Sequence, residues 1–92
     1  MSRSLGTMHS VIKSSGFFDQ HMSHELVDAF DSESLDIYFV TRRRAGGSYA
    51  LWRLSEMRRG FQGNNPVAII ASDTDRVDDL LAVAQELASF HM

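Results

Sequence analysis

From Phe18 onward the apolar positions Phe18, Met22, Leu26 and Phe30 recur every fourth residue, with Val27 widening the stripe. This spacing predicts an amphipathic helix with one buried face. Ser14 or Ser15 can cap an early start to it, and Ser23 a later one in which Met22 and Val27 form a hydrophobic staple. The pattern then changes. Leu35 to Arg44 and Ser48 to Glu56 are rich in strand formers and flank Gly46-Gly47, a pair that tolerates the positive φ of a tight primed turn. Together they predict a β-hairpin. A loop marked by Gly60, Gly63, Asn64, Asn65 and Pro66 follows, and Val67 to Ala71 reads as a short, buried third strand. From Asp73 on, Val77, Leu80, Leu81, Ala84, Leu87 and Ala88 share one helical face while Asp75, Asp78, Asp79, Ala82 and Glu86 occupy the other. The chain is expected to close on an amphipathic helix.

The order α-β-β-β-α, with no internal repeat, low-complexity tract or linker, predicts one α+β domain over residues 1–92. Its expected form is a three-stranded antiparallel sheet with an N-terminal and a C-terminal helix packed on it. Residues 1–14 are expected to form a loose arm, or a short extra strand through Val11 and Ile12. A two-residue turn at Gly46-Gly47 sets Arg43 opposite Ala50, Thr41 opposite Trp52 and Phe39 opposite Leu54. One face of the hairpin then carries Leu35, Ile37, Phe39, Thr41, Trp52 and Leu54 and is apolar enough to receive the helices. The other carries Tyr38, Val40, Arg42 and Arg44 beside Tyr49, Leu51 and Arg53. A three-residue turn slips the register by one and mixes Arg43 and Arg53 into the apolar face, which favours the first pairing.

Composition sharpens this picture in two places. The 92 residues are 43% hydrophobic and 23% charged, as in an ordinary globular domain, and they include no cysteine, so disulfides and thiolate metal sites are excluded. With no apolar run of membrane-spanning length and no signal-like N-terminus, a soluble cytoplasmic protein is expected. The net charge of −3 conceals a division along the chain. Residues 1–34 and 64–92 are acidic, whereas residues 35–63 set Arg42, Arg43, Arg44, Arg53, Arg58 and Arg59 against only Asp36 and Glu56.

The Arg42, Arg44, Arg53, Tyr38 and Tyr49 face offers donors for phosphates or carboxylates and flat rings for stacking, the combination used by single-strand nucleic-acid binders. Arg43, Arg58 and Arg59 extend the positive region. A mixed apolar, aromatic and arginine patch is equally typical of protein interfaces, and arginines on a sheet face also serve solubility alone. The acidic side of the last helix, Asp75, Asp78, Asp79 and Glu86, is explained by helix capping and solvation, with mimicry of a phosphate row as the functional alternative.

Catalytic signatures are weak. "VAIIASDTD" ends a strand in Asp-x-Asp, as phosphatases of the haloacid dehalogenase family do, but too little chain follows for that fold and its further loops. "HMSHE" places His21 and His24 three apart, with Glu25 and Asp28 each four residues beyond one of them; on a helix this is a partial metal-ligand set without a second pair elsewhere. No nucleophile elbow or phosphate loop is present. The expectation is a non-enzymatic protein with no cofactor and no metal.

In size, cysteine-free composition, oppositely charged surfaces and α-β-β-β-α order, the chain resembles phage-encoded accessory proteins, including the anti-CRISPR proteins that bind RNA-guided surveillance complexes. The resemblance rests on no shared motif. It implies a stoichiometric inhibitor in the cytoplasm of a bacterial host, blocking a protein or ribonucleoprotein partner without turnover. Arg42, Arg43, Arg44 and Arg53 would contact that partner or its RNA. The alternative is a direct nucleic-acid-binding domain that uses the basic hairpin, like the small sheet-based domains of some recombinases. Its acidic flanks and pI of about 5.7 oppose that reading. A homodimer through Tyr38, Val40 and Leu51 is a third reading.

Overall fold

The computed structural model describes residues 4–32, 36–55 and 67–89. Leu35, Glu56, Arg58, Arg59 and the Gly60 to Pro66 loop lie outside them. The described chain forms helices α1 (Leu5–Ser14) and α2 (Phe17–Gln20), strands β1 (His24–Asp31), β2 (Asp36–Arg43), β3 (Tyr49–Ser55) and β4 (Val67–Thr74), and helix α3 (Val77–Ser89). The strands make one antiparallel meander in the order β1-β2-β3-β4. The α+β class and a helix at each end hold, but the sheet has four strands rather than three.

The extra strand comes from the segment whose spacing predicts a helix. Only Phe17–Gln20 is helical, and His24–Asp31 is strand β1. A repeat of four residues is also a multiple of two, so the stripe fits either period and cannot choose between them. Pairing chooses. β1 lies antiparallel to β2 with Leu26 opposite Thr41, Ala29 opposite Phe39 and Phe30 opposite Tyr38. A bulge between Leu26 and Asp28 changes the register. Leu26 and Ala29 consequently pack with one core cluster, and Val27 and Phe30 with the other. Met22, the second member of the predicted stripe, is 77% exposed.

The expected loose arm is instead helix α1. Ser4 caps it by accepting the Thr7 N–H at 3.2 Å, and Met8 and Ile12, four apart, bury their side chains. Gly16, at φ 86°, turns the chain into α2 so that Phe17 enters the core.

At the hairpin, Phe39 pairs with Trp52 and Ile37 with Leu54, two positions away from the register expected for a two-residue turn. The turn spans residues 44–47: the Arg43 N–H donates to Ser48 O at 2.7 Å and the Gly47 N–H to Arg43 O at 3.1 Å. Gly46 and Gly47 take φ of 91° and 70°. Because the displacement is even, the division of side chains between faces is the one expected from sequence.

The helices, however, do not share a face. Met8, Ile12 and Phe17 cover Ala29, Ile37, Phe39, Ala50, Trp52 and Leu54 on one side. Leu80 and Ala84 of α3 cover Val40 and Leu51 on the other, with Tyr38 and Tyr49 packed against that cluster. Strands β1, β2 and β3 are thus enclosed between α1/α2 and α3, while Ile69 and Ile70 of β4 remain exposed. β4 runs on to Thr74 and α3 begins only at Val77, later than the expected start near Asp73, and Asp78 and Asp79 are the acids of its first turn.

Candidate functional site at the hairpin end

The face proposed from sequence as an open Arg/Tyr surface lies under α3. Val40 and Leu51 are fully buried and Tyr38 and Tyr49 half-buried. A second copy therefore could not reach Val40 and Leu51 without displacing the helix. The arginines Arg42, Arg43, Arg44 and Arg53 stay exposed, but not as one platform. Arg53 sits opposite Tyr38 within β3, away from the turn. Arg42, Arg43 and Arg44 gather at the turn. Asp75, Asp78, Asp79 and Glu86 are all exposed, and Asp79 receives the Arg76 Nε–H at 2.8 Å.

Each turn arginine has its own setting. Arg42 stands opposite Glu25 on β1 and places Nη1 3.2 Å from Glu25 Oε1, an exposed pair worth up to about 1 kcal/mol. Arg43, one residue on, belongs to the α1/α2 side, and Arg44 is fixed by its N–H donating to Ser23 O at 2.8 Å. Neither has an acidic partner among the described residues.

Behind them lies an interaction that sequence reasoning missed. Thr41 is fully buried, and its Oγ1 accepts the Trp52 indole N–H at 2.9 Å while lying 2.9 Å from His24 Nδ1. An indole N–H can only donate, so the hydroxyl's own proton is available to His24. Burial holds the His24 pKa below its ordinary value of 6.5, and the nearby charges of His21 and Arg43 lower it further. The arrangement that gives every group of the network a partner has Nδ1 accepting the Thr41 hydroxyl proton, and it assigns the ring proton to Nε2. The signal for this network was the polar Thr41 placed beside Trp52 on an otherwise apolar face.

Around this network the rings are closely set. His21 stacks on Phe17 with centroids 4.7 Å apart and lies 4.9 Å from Trp52. His21 and His24, 5.7 Å apart, sit at the end of α2 and the start of β1 and not on one helix, and no group of three metal-ligating side chains occurs among the described residues.

Two concavities open here, with His24 lining both. The larger, about 650 Å³, has Leu5, Phe18, Met22 and Leu26 as its apolar part, and Lys13, Arg44, Glu25 and His9 join His24 on its polar part. The smaller, about 200 Å³, is lined by His21, His24, Arg43, Ser48, Tyr49, Ala50, Trp52 and Ile69. No described helix is long and apolar enough to cross a membrane. No family model, curated protein or solved structure matches the chain.

Proposed function

We propose that the chain is a non-enzymatic binding protein that occludes a larger protein or ribonucleoprotein partner, in the manner of the anti-CRISPR proteins that it resembles in size and composition. The contact is made by the hairpin end and not by a sheet face. One observation carries the reading: Arg44 and Lys13 border the same 650 Å³ cleft as the exposed apolar side chains Leu5 and Met22, at 46% and 77% exposure. Cationic groups beside accessible apolar surface are what a protein interface uses, with the apolar part supplying affinity and the charges orientation.

The test mixes the protein at increasing molar ratio with purified CRISPR surveillance complexes and measures target-DNA binding, for wild type and for an Arg43→Glu/Arg44→Glu variant. Inhibition that saturates at a fixed stoichiometry in wild type and is lost in the variant supports the reading. Retention of free nucleic acid by wild type, weakening steeply with salt, would replace it with direct nucleic-acid binding. No inhibition of any complex refutes the anti-CRISPR assignment.

A further inference from the structure

We infer that the smaller concavity is a binding site for a free planar aromatic carboxylate, held by the Arg43 guanidinium and the His24 Nε2–H over a floor formed by Trp52 and Ile69.

Three features define the ligand class. The first is charge. Arg43 has no acidic partner among the described residues, and the other titratable groups lining the concavity are His21, His24 and Tyr49, with no carboxylate among them. A cation is repelled there, and an anion meets an uncompensated guanidinium, whose planar fork matches a carboxylate in two parallel hydrogen bonds.

The second is directed donation. Thr41 occupies His24 Nδ1 and fixes the ring, as argued from the two 2.9 Å contacts at Thr41 Oγ1. Nε2–H on the far edge is left with no hydrogen-bond partner among the described residues. This donor is preorganised, because its tautomer is set from behind by a buried hydroxyl.

The third is shape. A volume of about 200 Å³ is small for a drug-sized ligand and holds roughly ten non-hydrogen atoms at interior packing density. Trp52 is held in place by its bond to Thr41 and by His21 at 4.9 Å, and Ile69 is 53% exposed beside it. A flat ring covers this apolar floor while its carboxylate reaches the rim. No residue inside a protein chain combines an aromatic ring with a free carboxylate, so the ligand inferred is a small acid free in solution.

Benzoate is the probe, with acetate and benzyl alcohol as comparators at constant ionic strength. The readouts are the NMR shifts of the indole N–H of Trp52, the sole tryptophan, and of the His24 ring. Benzoate is expected to shift both along one saturable curve with millimolar affinity, and acetate and benzyl alcohol to bind at least about tenfold more weakly. Arg43→Gln should weaken benzoate about tenfold, whereas Arg53→Gln should leave it unchanged. A retained indole signal at its Thr41-bonded position shows that the Arg43 variant is folded. The inference is overturned if benzoate gives no saturable shift, if acetate matches benzoate, or if Arg43→Gln binds as wild type does. None of these outcomes depends on a macromolecular partner.

Discussion

Replacing Thr41 by valine keeps the side-chain shape and removes its hydroxyl, and two neighbours lose their partner at once. The Trp52 indole N–H, in a residue only 8% exposed, is left as a buried donor with nothing to bond, at a cost of about 1–3 kcal/mol. His24 Nδ1 loses its donor at about 0.5–1.5 kcal/mol, the smaller figure because His24 is only half-buried and water can replace the hydroxyl. The sum is about 1.5–4.5 kcal/mol. A chain of this length has a total stability of about 5–14 kcal/mol, so a large share is lost and the midpoint of thermal unfolding falls by about 6–36 °C. Urea unfolding followed by far-ultraviolet circular dichroism measures it, with an unchanged slope expected if only the native state is affected. Thr41→Ser is the decisive companion, since it keeps the hydroxyl and loses a methyl group worth about 1 kcal/mol. Valine must therefore be the worse substitution. If Thr41→Val is as stable as Thr41→Ser, the hydrogen-bond account of this part of the core is wrong.

Three further outcomes test other parts of the structure. Because the folded-state pKa of His24 is lowered, the unfolded chain takes up its proton first; the His24 contribution to stability should be intact above about pH 6.5 and fall as pH drops from there to the lowered value, and acid titration of His24→Asn should lack this component. Gly46→Ala and Gly47→Ala, at φ 91° and 70°, should each cost about 1–2 kcal/mol in denaturant melts, whereas Gly6→Ala, in α1 with nothing near the new methyl group, should gain about 0.5 kcal/mol. Leu51→Ala, fully buried beneath α3, should cost about 2–5 kcal/mol and raise amide exchange in α3 more than in α1; equal effects on both helices would contradict their placement on opposite faces.

What the sequence made legible is the hairpin, the last helix and the division of the hairpin between two faces. In "DIYFVT" and "YALWRL" successive side chains point to opposite faces, and a register error of two residues leaves that division untouched, so Ile37, Phe39 and Trp52 share one core face even though the turn is longer. The N-terminal third was misread for a physical reason. Phe18, Met22, Leu26 and Phe30 satisfy both periods, and what decides between them is a partner strand, which is non-local. Once His24–Asp31 is a strand, Met8 and Ile12 have a surface to cover, and α1 becomes worth forming. The misplacement of the arginine site followed from the same step: with the first helix consumed as a strand, α1 takes one face and α3 must take the other. Tyr38, Val40 and Leu51 read as an interface because they are one, but with the chain's own last helix.

Cover on both faces of β2 and β3 also limits what the arginines can do. A protein interface of ordinary size takes about 800 Å² from each partner, roughly an eighth of this chain's 6059 Å². Three side chains at a turn do not supply such an area. The proposed contact would have to extend from Arg44 over surface continuous with it, and the larger cleft offers such a surface: it runs from Arg44 to Lys13, His9 and Leu5 along α1 and to Met22 beyond α2. The segment read from sequence as a loose arm thus contributes much of the accessible surface near the arginines, and the acidic residues of α3, on the opposite side of the sheet, stay clear of it. The exposed acids Asp78, Asp79 and Glu86 of α3 thus lie across the sheet from Lys13 and Arg43, a separation of charge that would orient a partner of the proposed kind. Of the two acidic flanks, the C-terminal one is separated from the arginines by the sheet, whereas the N-terminal one meets them, with Glu25 pairing with Arg42 at the edge of the cleft.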